Sequence, residues 1–322
     1  MSELVRTFDE NSLIVSLFDK KKQNRFLTWE NTMTFDTTWN NLLYKLSPAL
    51  LKFHLNAIHD TAMTPSNLKL WNKNPLGNCK LCGRYGTLSH ILTHCKVSLN
   101  QGRYNWRHDQ VLRTIMTPVF AHFKQQHVTK TQKVTTKTVF HKAGNKSDKV
   151  RLQVQAKELK SFFSDAADWL IVYDKDKHQR NFPSHTVATF NRPDVVIFSN
   201  KLKKVMIMEL TCGNEENFAN QKSYKTKKYQ QLIHDIGMNG WSCKYQTVEM
   251  GCRGIYNDSL PAFYNSIGLK TREKKKACQK AAEVALRASY TIYLSRANKI
   301  WSDNWDLTER PSVCIGEGTL GP

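Results

Sequence analysis

The chain has 322 residues, 40% of them hydrophobic and 23% charged, a balance that fits a globular protein with one sizeable core and smaller modules. Lys and Arg outnumber Asp and Glu by 48 to 27, a net charge of +21 and a pI near 9.6, which implies a polyanionic partner. No apolar run approaches the ~18 residues of a membrane span, and the start MSELVRTFDE is too polar for a secretory signal. The expectation is therefore an intracellular protein with nucleic acid, not a membrane, as its partner, and with cysteines that serve as thiols or metal ligands rather than disulfides.

Residues 1–40 carry only weak signals. From Ser47, SPALLKFHLNAIHD reads as a helix with Ser47 as N-cap, Pro48 in the first turn, and Leu51, Leu55 and Ile58 on one face. A turn-rich stretch leads into a cluster of Cys and His at 79–95. Tyr104 to Phe120 reads as a second helix, with His108, Val111, Leu112 and Ile115 on one stripe. Residues 124–151 are rich in Lys and Thr and read as a basic linker.

A helical pattern then carries Leu159, Phe162, Phe163 and Ala166. The runs DWLIVY, DVVIF, KVMIMELT and KYQTVEM have the β-branched and aromatic content of strands. A helix is predicted from about Glu216 to Ile236 and a last one from about Lys270 to Asn298, whose basic start TREKKKACQK suits a solvated face. Strands alternating with long helices indicate an α/β unit around a mixed sheet.

The spacing Cys79-x2-Cys82-x7-His90-x4-Cys95 suits zinc, which prefers four tetrahedral sulfur or nitrogen ligands. Gly77 and Gly83 flank the Cys-x2-Cys turn, and Leu88, Ile91 and Leu92 are placed to pack beneath a metal. His94 competes with His90 for the fourth position, and buried cysteine as plain apolar filler is the alternative to a metal site. Cys212, Cys243, Cys252, Cys278 and Cys314 show no ligand spacing and read as structural.

A hairpin of DVVIF and KVMIMELT centred between Lys201 and Leu202 would set Phe198 against Val205, Val196 against Ile207 and Asp194 against Glu209. Opposed residues have Cβ atoms ~5 Å apart and project from one face of a sheet. Two such carboxylates repel unless one is protonated or a cation lies between them, and hard oxygen ligands suit Mg²⁺ or Mn²⁺. On the helix that follows, a turn of ~100° per residue places Phe218, Tyr229, Leu232 and Ile236 in one sector. Lys225 lies near its centre, Lys222 and Lys228 on its flanks, and Lys227 opposite. An ammonium on a buried face needs an anionic partner, and the two carboxylates supply one.

With these pieces in place, the chain resembles the C-terminal part of non-LTR retrotransposon reverse-transcriptase proteins that carry a restriction-like endonuclease. The similarity runs from about Ser47 to Gly254. SPALLKFHLNAIHDT and TPSNLKLW resemble the end of the polymerase thumb and its linker. The Cys-Cys-His-Cys module and GRYNWRHDQVL follow, and then DWLIVYD, FPSHTVATFNRPDVVIF, MELT and KTKKY. Pro-Asp, 14 residues and Glu209 fit the family's variant of the PD-(D/E)xK pattern; the usual lysine position holds Thr211, and the family's lysine on the following helix falls on Lys225. The Phe/Tyr-x-Asp-Asp polymerase signature is absent from these residues.

The resemblance implies a restriction-like endonuclease core of mixed sheet and flanking helices over 153–300. Ahead of it would lie a helical segment (1–70), a zinc module with its helix (71–123) and the basic linker (124–152), with a tail at 301–322 after it. It implies a DNA-nicking enzyme with Asp194, Glu209 and Lys225 as catalytic residues, Asp194 and Glu209 holding one or two Mg²⁺ or Mn²⁺ ions. Support would come from His185, Arg192, Thr211 and Lys228. Zinc would be structural at Cys79, Cys82, His90 and Cys95, with Arg103, Arg107 and His108 meeting nucleic acid. DNA, the element's own RNA, nuclear action and no organic cofactor complete the expectation. The lysine runs near residues 20 and 274 agree with nuclear import. The rival reading is a catalytically silent nucleic-acid-binding remnant of the same fold.

Overall fold

The computed structural model describes residues 2–20, 22–29, 46–131, 162–163, 168–174 and 181–304. Four strands form one mixed sheet in the order β1 (Leu170–Tyr173), β2 (Val195–Ser199), β3 (Lys204–Gly213), β4 (Ser242–Gly251). The first three run antiparallel in sequence, and β4 lies parallel to β3. A parallel neighbour requires a crossover, supplied here by a helix at Phe218–Met238. Strands β2 and β3 are buried on both faces, which is why they read as nearly continuous apolar runs rather than as alternating ones.

The helices are α1 (Ser2–Phe18), α2 (Pro48–Ile58), α3 (Pro65–Leu70), α4 (Lys96–Asn100), α5 (Arg103–Thr131), α6 (Phe218–Met238), α7 (Ser259–Ile267) and α8 (Thr271–Leu294). Alternation sorts the strand side chains between two layers. Val196, Phe198, Val205 and Ile207 pack with Tyr229, Leu232 and Ile236 of α6. Val195, Ile197, Met206, Met208 and Leu210 pack on the other face with α5, α7 and α8. A third core joins α2, the Cys/His module and the C-terminal half of α8. No helix among the described residues is long and apolar enough to cross a membrane.

Three expectations change. Helix α2 forms with Ser47 as its cap, the hydroxyl accepting from the Leu50 N–H at 3.4 Å. Its buried face, however, is Leu50, Phe53, His54 and Ala57, while Leu55 is exposed. Helix α5 was grouped with the zinc module, yet Val111, Leu112, Ile115, Met116, Val119 and Phe123 lie in the core beneath the sheet. The helix thus packs with the α/β unit as well as with the module, and runs on into the expected linker as far as Thr131. The predicted helix around Leu159 and Ala166, the linker beyond residue 131, and the tail from 305, with Cys314, lie outside the described residues. Phe162 and Phe163 are described: Phe163 is buried, 4.7 Å ring to ring from Trp169.

Candidate active site

The hairpin of β2 and β3 has the register expected from its sequence, Phe198 opposite Val205 and Val196 opposite Ile207. Its turn is stiffened by Asp168, whose carboxylate accepts from the Ser199 hydroxyl at 2.7 Å and the Lys201 N–H at 3.0 Å. The ladder ends at Val195 and Met208. One residue further, side chains replace it. The Asp194 N–H donates to Glu209 Oε2 at 3.2 Å, and the Leu210 N–H donates to Asp194 Oδ2 at 2.7 Å. Each carboxylate is thus held by the backbone of the other strand.

Lys225 of α6 points onto this pair, and its ammonium bonds Glu209 Oε1. The Glu209 side chain is 3% exposed and that of Lys225 25%, so the ion pair has one buried and one accessible end. Burial, with repulsion from Asp194, raises the Glu209 pKa despite Lys225. Burial works against charge on Asp194 too, but His108, the Leu210 N–H and Lys225 outweigh it and hold that carboxyl below its ordinary range. Two neighbouring carboxylates pushed in opposite directions are what a shared cation or proton produces at close range.

His108 approaches from α5. Its Nε2 lies 3.4 Å from Asp194 Oδ2 and its Nδ1 3.2 Å from Asp109 Oδ1. Burial disfavours the imidazolium, but the two aspartates overcome it and raise the His108 pKa well above its usual value. His108, expected to meet nucleic acid, thus contacts Asp194 of the carboxylate pair. A clue was legible: His108 is the polar member of an apolar stripe.

Arg103 and Arg107 are corrections. Arg103 is fully buried and donates to the carbonyls of Ser295 (2.7 Å) and Asn298 (2.6 Å). Arg107 is 1% exposed and donates to Leu92 O (3.0 Å), Ser289 Oγ (3.1 Å) and Cys212 O (3.1 Å). Neither guanidinium can face a phosphate backbone. Arg107 instead knits the Cys/His module, α8 and β3 together, and Arg103 ties the start of α5 to the chain just after α8.

Among the expected supporting residues, His185 does not reach the site. Its ring lies 5.2 Å from Phe198 and 5.9 Å from Trp241. Phe198 is four residues along β2 from Asp194, about 13 Å at the rise of a strand. Arg192 is exposed, and its carbonyl accepts from Tyr229 Oη at 3.1 Å. Lys228 donates to the same hydroxyl at 3.0 Å and lies 4.6 Å above the Tyr229 ring. Thr211 continues β3 two residues past Glu209 with its hydroxyl buried, a neutral group that cannot replace an ammonium. Tyr229 was seen in the sequence only as core; it is buried against Glu209, and its pKa is pushed up by burial and by that carboxylate.

No protein-family model matches the chain, and no curated protein matches it.

A second cluster joins Cys79, Cys82, His90 and Cys95, whose ligand atoms all lie within 4.8 Å of one another. Cys79 Sγ is 3.9 Å from Cys95 Sγ, and Cys82 Sγ is 3.1 Å from His90 Nε2. Ligands 2.0–2.3 Å from a tetrahedral zinc are roughly 3.3–3.8 Å apart, so the set fits a metal such as zinc. Locally, the Gly83 N–H donates to Cys79 O, and Gly83 has φ +74°, a left-handed geometry that favours glycine. The Thr87 hydroxyl accepts from the His90 N–H, starting a wide single turn of π-type helix at His90–His94. That turn points His90 inward. His94 is exposed and bonded to Thr93 Oγ1 at 2.8 Å, so the fourth position belongs to His90.

Beside the carboxylates opens a cleft of about 1480 Å³ between α5 and α8, reached by His108, Asp109, Asp174, Asp194, Lys276 and Lys280.

Proposed function

We propose that this protein is a metal-dependent DNA endonuclease of the restriction-like type, related to the nuclease of non-LTR retrotransposons, which nicks one strand by phosphodiester hydrolysis. The observation that carries the reading is the triad of Asp194, Glu209 and Lys225, two carboxylates bonded across adjacent strands with an ammonium delivered by the following helix. The net charge of +21 supports a polyanionic substrate, and action on DNA would place the protein in the nucleus.

The donor set fits a hard divalent cation: two carboxylates on adjacent strands, each accepting from the backbone of the other, with Asp194 bordering an open cleft. Asp194 and Glu209 would hold Mg²⁺ or Mn²⁺. Such an ion supplies Lewis acidity and a bound water of lowered pKa. Lys225 stabilises charge gathering on the phosphate oxygens or orients the attacking water. The water oxygen bonds phosphorus as the bond to O3′ breaks, O3′ takes a proton, and a 3′-hydroxyl and a 5′-phosphate remain. His108, bonded to Asp194 and Asp109, fixes the rotamer of the first ligand. The Cys79/Cys82/His90/Cys95 cluster would hold structural zinc.

The test is nicking of supercoiled plasmid with Mg²⁺ or Mn²⁺ by wild type, Asp194→Ala and Lys225→Ala. Metal-dependent nicking that falls by about 10²–10³-fold in each variant is expected. Wild type that binds DNA without cutting under either metal would leave the silent binding remnant as the better description.

A further inference from the structure

We propose that Phe190 stacks on a base of the bound strand beside the scissile phosphate, so that the site favours DNA whose bases are unpaired there. This inference rests on the nuclease reading above.

The side chain of Phe190 is 104% exposed, and no large apolar side chain among the described residues is more so. The loop that carries it is nonetheless fixed on both sides. Before it, the Thr186 N–H donates to Pro183 O at 3.0 Å and the Asn239 amide donates to Thr186 O at 2.7 Å. At its tip the Asn191 N–H donates to Thr189 Oγ1 at 3.0 Å, a tight turn with Phe190 at its apex. After it, Arg192 O accepts from Tyr229 Oη at 3.1 Å, Pro193 is buried and the Asp194 N–H is bonded to Glu209. A single exposed apolar side chain is ordinary. One held at the apex of an anchored loop, four residues before Asp194, is placed to meet a ligand. Four residues reach at most ~14 Å, about four nucleotides at ~3.4 Å each along one strand. The ring therefore stands within a few base steps of a phosphate at the Asp194–Glu209 pair.

The groups around the ring are those that follow a nucleic-acid strand. Residues 181–193 contain no acid, and α6 has none before Asp235. The acids just ahead of α6 are Glu215, buried on Arg253, and Glu216, 3.8 Å from the same guanidinium. Arg192 is exposed two residues from the ring, and Lys222 and Lys228 are exposed on the two flanks of Lys225. Lys228 meets Tyr229 Oη beside Arg192 O, so its flank of α6 borders the loop. Tyr224, one turn earlier on that flank, is 67% exposed and adds a second ring to the rim. Cations interleaved with aromatic rings hold phosphates while the rings take base faces. A protein partner would need a contiguous apolar patch, whereas Phe190 is bordered by Thr189, Asn191 and Arg192.

In a duplex the faces of each base are covered by its neighbours. Because the Glu209 side chain is 3% exposed, a phosphate must dip toward a recessed pair. A ring at the rim can then take a base face only where the stack is open, or where the ring opens it at a cost. Unpaired bases escape that cost.

The experiment uses the zinc-loaded full chain in Ca²⁺, with duplexes of one sequence that are fully paired or carry a short unpaired bubble. 2-Aminopurine is placed at each bubble position in turn. Wild type, Phe190→Ala and Phe190→Trp are compared for affinity, quenching of the probe and melting, with plasmid nicking in Mg²⁺ followed in parallel. Wild type should bind the bubble more tightly than the duplex and quench the probe. Phe190→Ala should bind the bubble roughly 5–100-fold more weakly and lose both the quenching and the preference. Its melting and its salt dependence should be unchanged, because the group removed is exposed and neutral. Phe190→Trp keeps a stacking face and should retain both properties. A Phe190→Ala chain that binds and quenches like wild type refutes the stacking, and if wild type nicks, the nuclease reading stands. Wild type whose bubble preference depends on Phe190 but which never nicks supports the stacking and overturns the nuclease reading.

Discussion

The two candidate metal centres of this protein are built in opposite ways. The Cys/His cluster is assembled within seventeen consecutive residues, from Cys79 to Cys95, by a glycine turn and one wide helical turn. The carboxylate centre draws on residues from 108 to 225, on two strands and two helices. A local site folds with its metal, because a segment this short has little core of its own. A dispersed site is only as good as the packing that brings its parts together. The two are also mechanically joined: Arg107 bonds Leu92 O in the module and Cys212 O on β3, and the next residue is His108, on Asp194.

The largest expected effect comes from breaking the local site. Cys95→Ser removes one of four zinc ligands, and structural zinc in isolated fingers is worth ~10–16 kcal/mol of apparent folding free energy. Zinc measured by atomic emission should fall from one equivalent to near none, with loss of the first cooperative melting step. Nicking should fall as well, although the substitution lies in a different segment from every carboxylate. Nicking that is unchanged in zinc-free Cys95→Ser would show that the two centres are independent, and the coupling through α5 would be wrong.

A smaller effect tests the coupling itself. Arg107→Ala leaves two carbonyls and Ser289 without their donor, and each buried acceptor left unpaired costs ~1–3 kcal/mol. Denaturant unfolding measures it. Arg107→Lys keeps the charge but cannot reach three acceptors at once, so it should recover part of that loss and not all. Equal stability of wild type and Arg107→Ala would mean that the guanidinium knits nothing.

The same contrast explains what could be read from the chain. The Cys/His cluster was legible because spacing alone determines a local site; only the choice of His90 over His94 needed the three-dimensional turn. The β2–β3 register was legible because side-chain period fixes the pairing of a short hairpin, and Lys225 because helical phase follows from its neighbours. Contacts made by the packing of whole elements were not. The sequence offers no signal that α5 runs under the sheet, so Arg103 and Arg107 looked like surface cations and His108 like their companion. The family resemblance drew His185 to the site, whereas the chain between it and Asp194 carries it to the far end of β2.

The smallest effect sharpens the comparison through two histidines, one for each region. His54 of α2 is 3% exposed, and burial lowers its pKa from 6.5 to about 4, only partly offset by the Arg253 backbone. His108 moves the other way, raised by Asp194 and Asp109 against burial. The signs follow from linkage. For His54 the unfolded chain binds the proton first, so stability is full above about pH 6.5, falls as pH drops toward 4, and then levels. A lowering from 6.5 to about 4 corresponds to a loss of at most ~3–4 kcal/mol. For His108 the folded chain holds the proton, so its contribution is complete below about pH 6.5 and is lost as pH rises through the raised value. Melting temperatures from pH 7.5 to 4.5 should therefore show an acid decline in wild type that His54→Gln flattens. His108→Gln should leave that decline in place and remove the gain on its alkaline side. An acid limb of the same slope in His54→Gln would mean that the α2 core does not hold a neutral imidazole, and that carboxylate protonation governs the acid side instead.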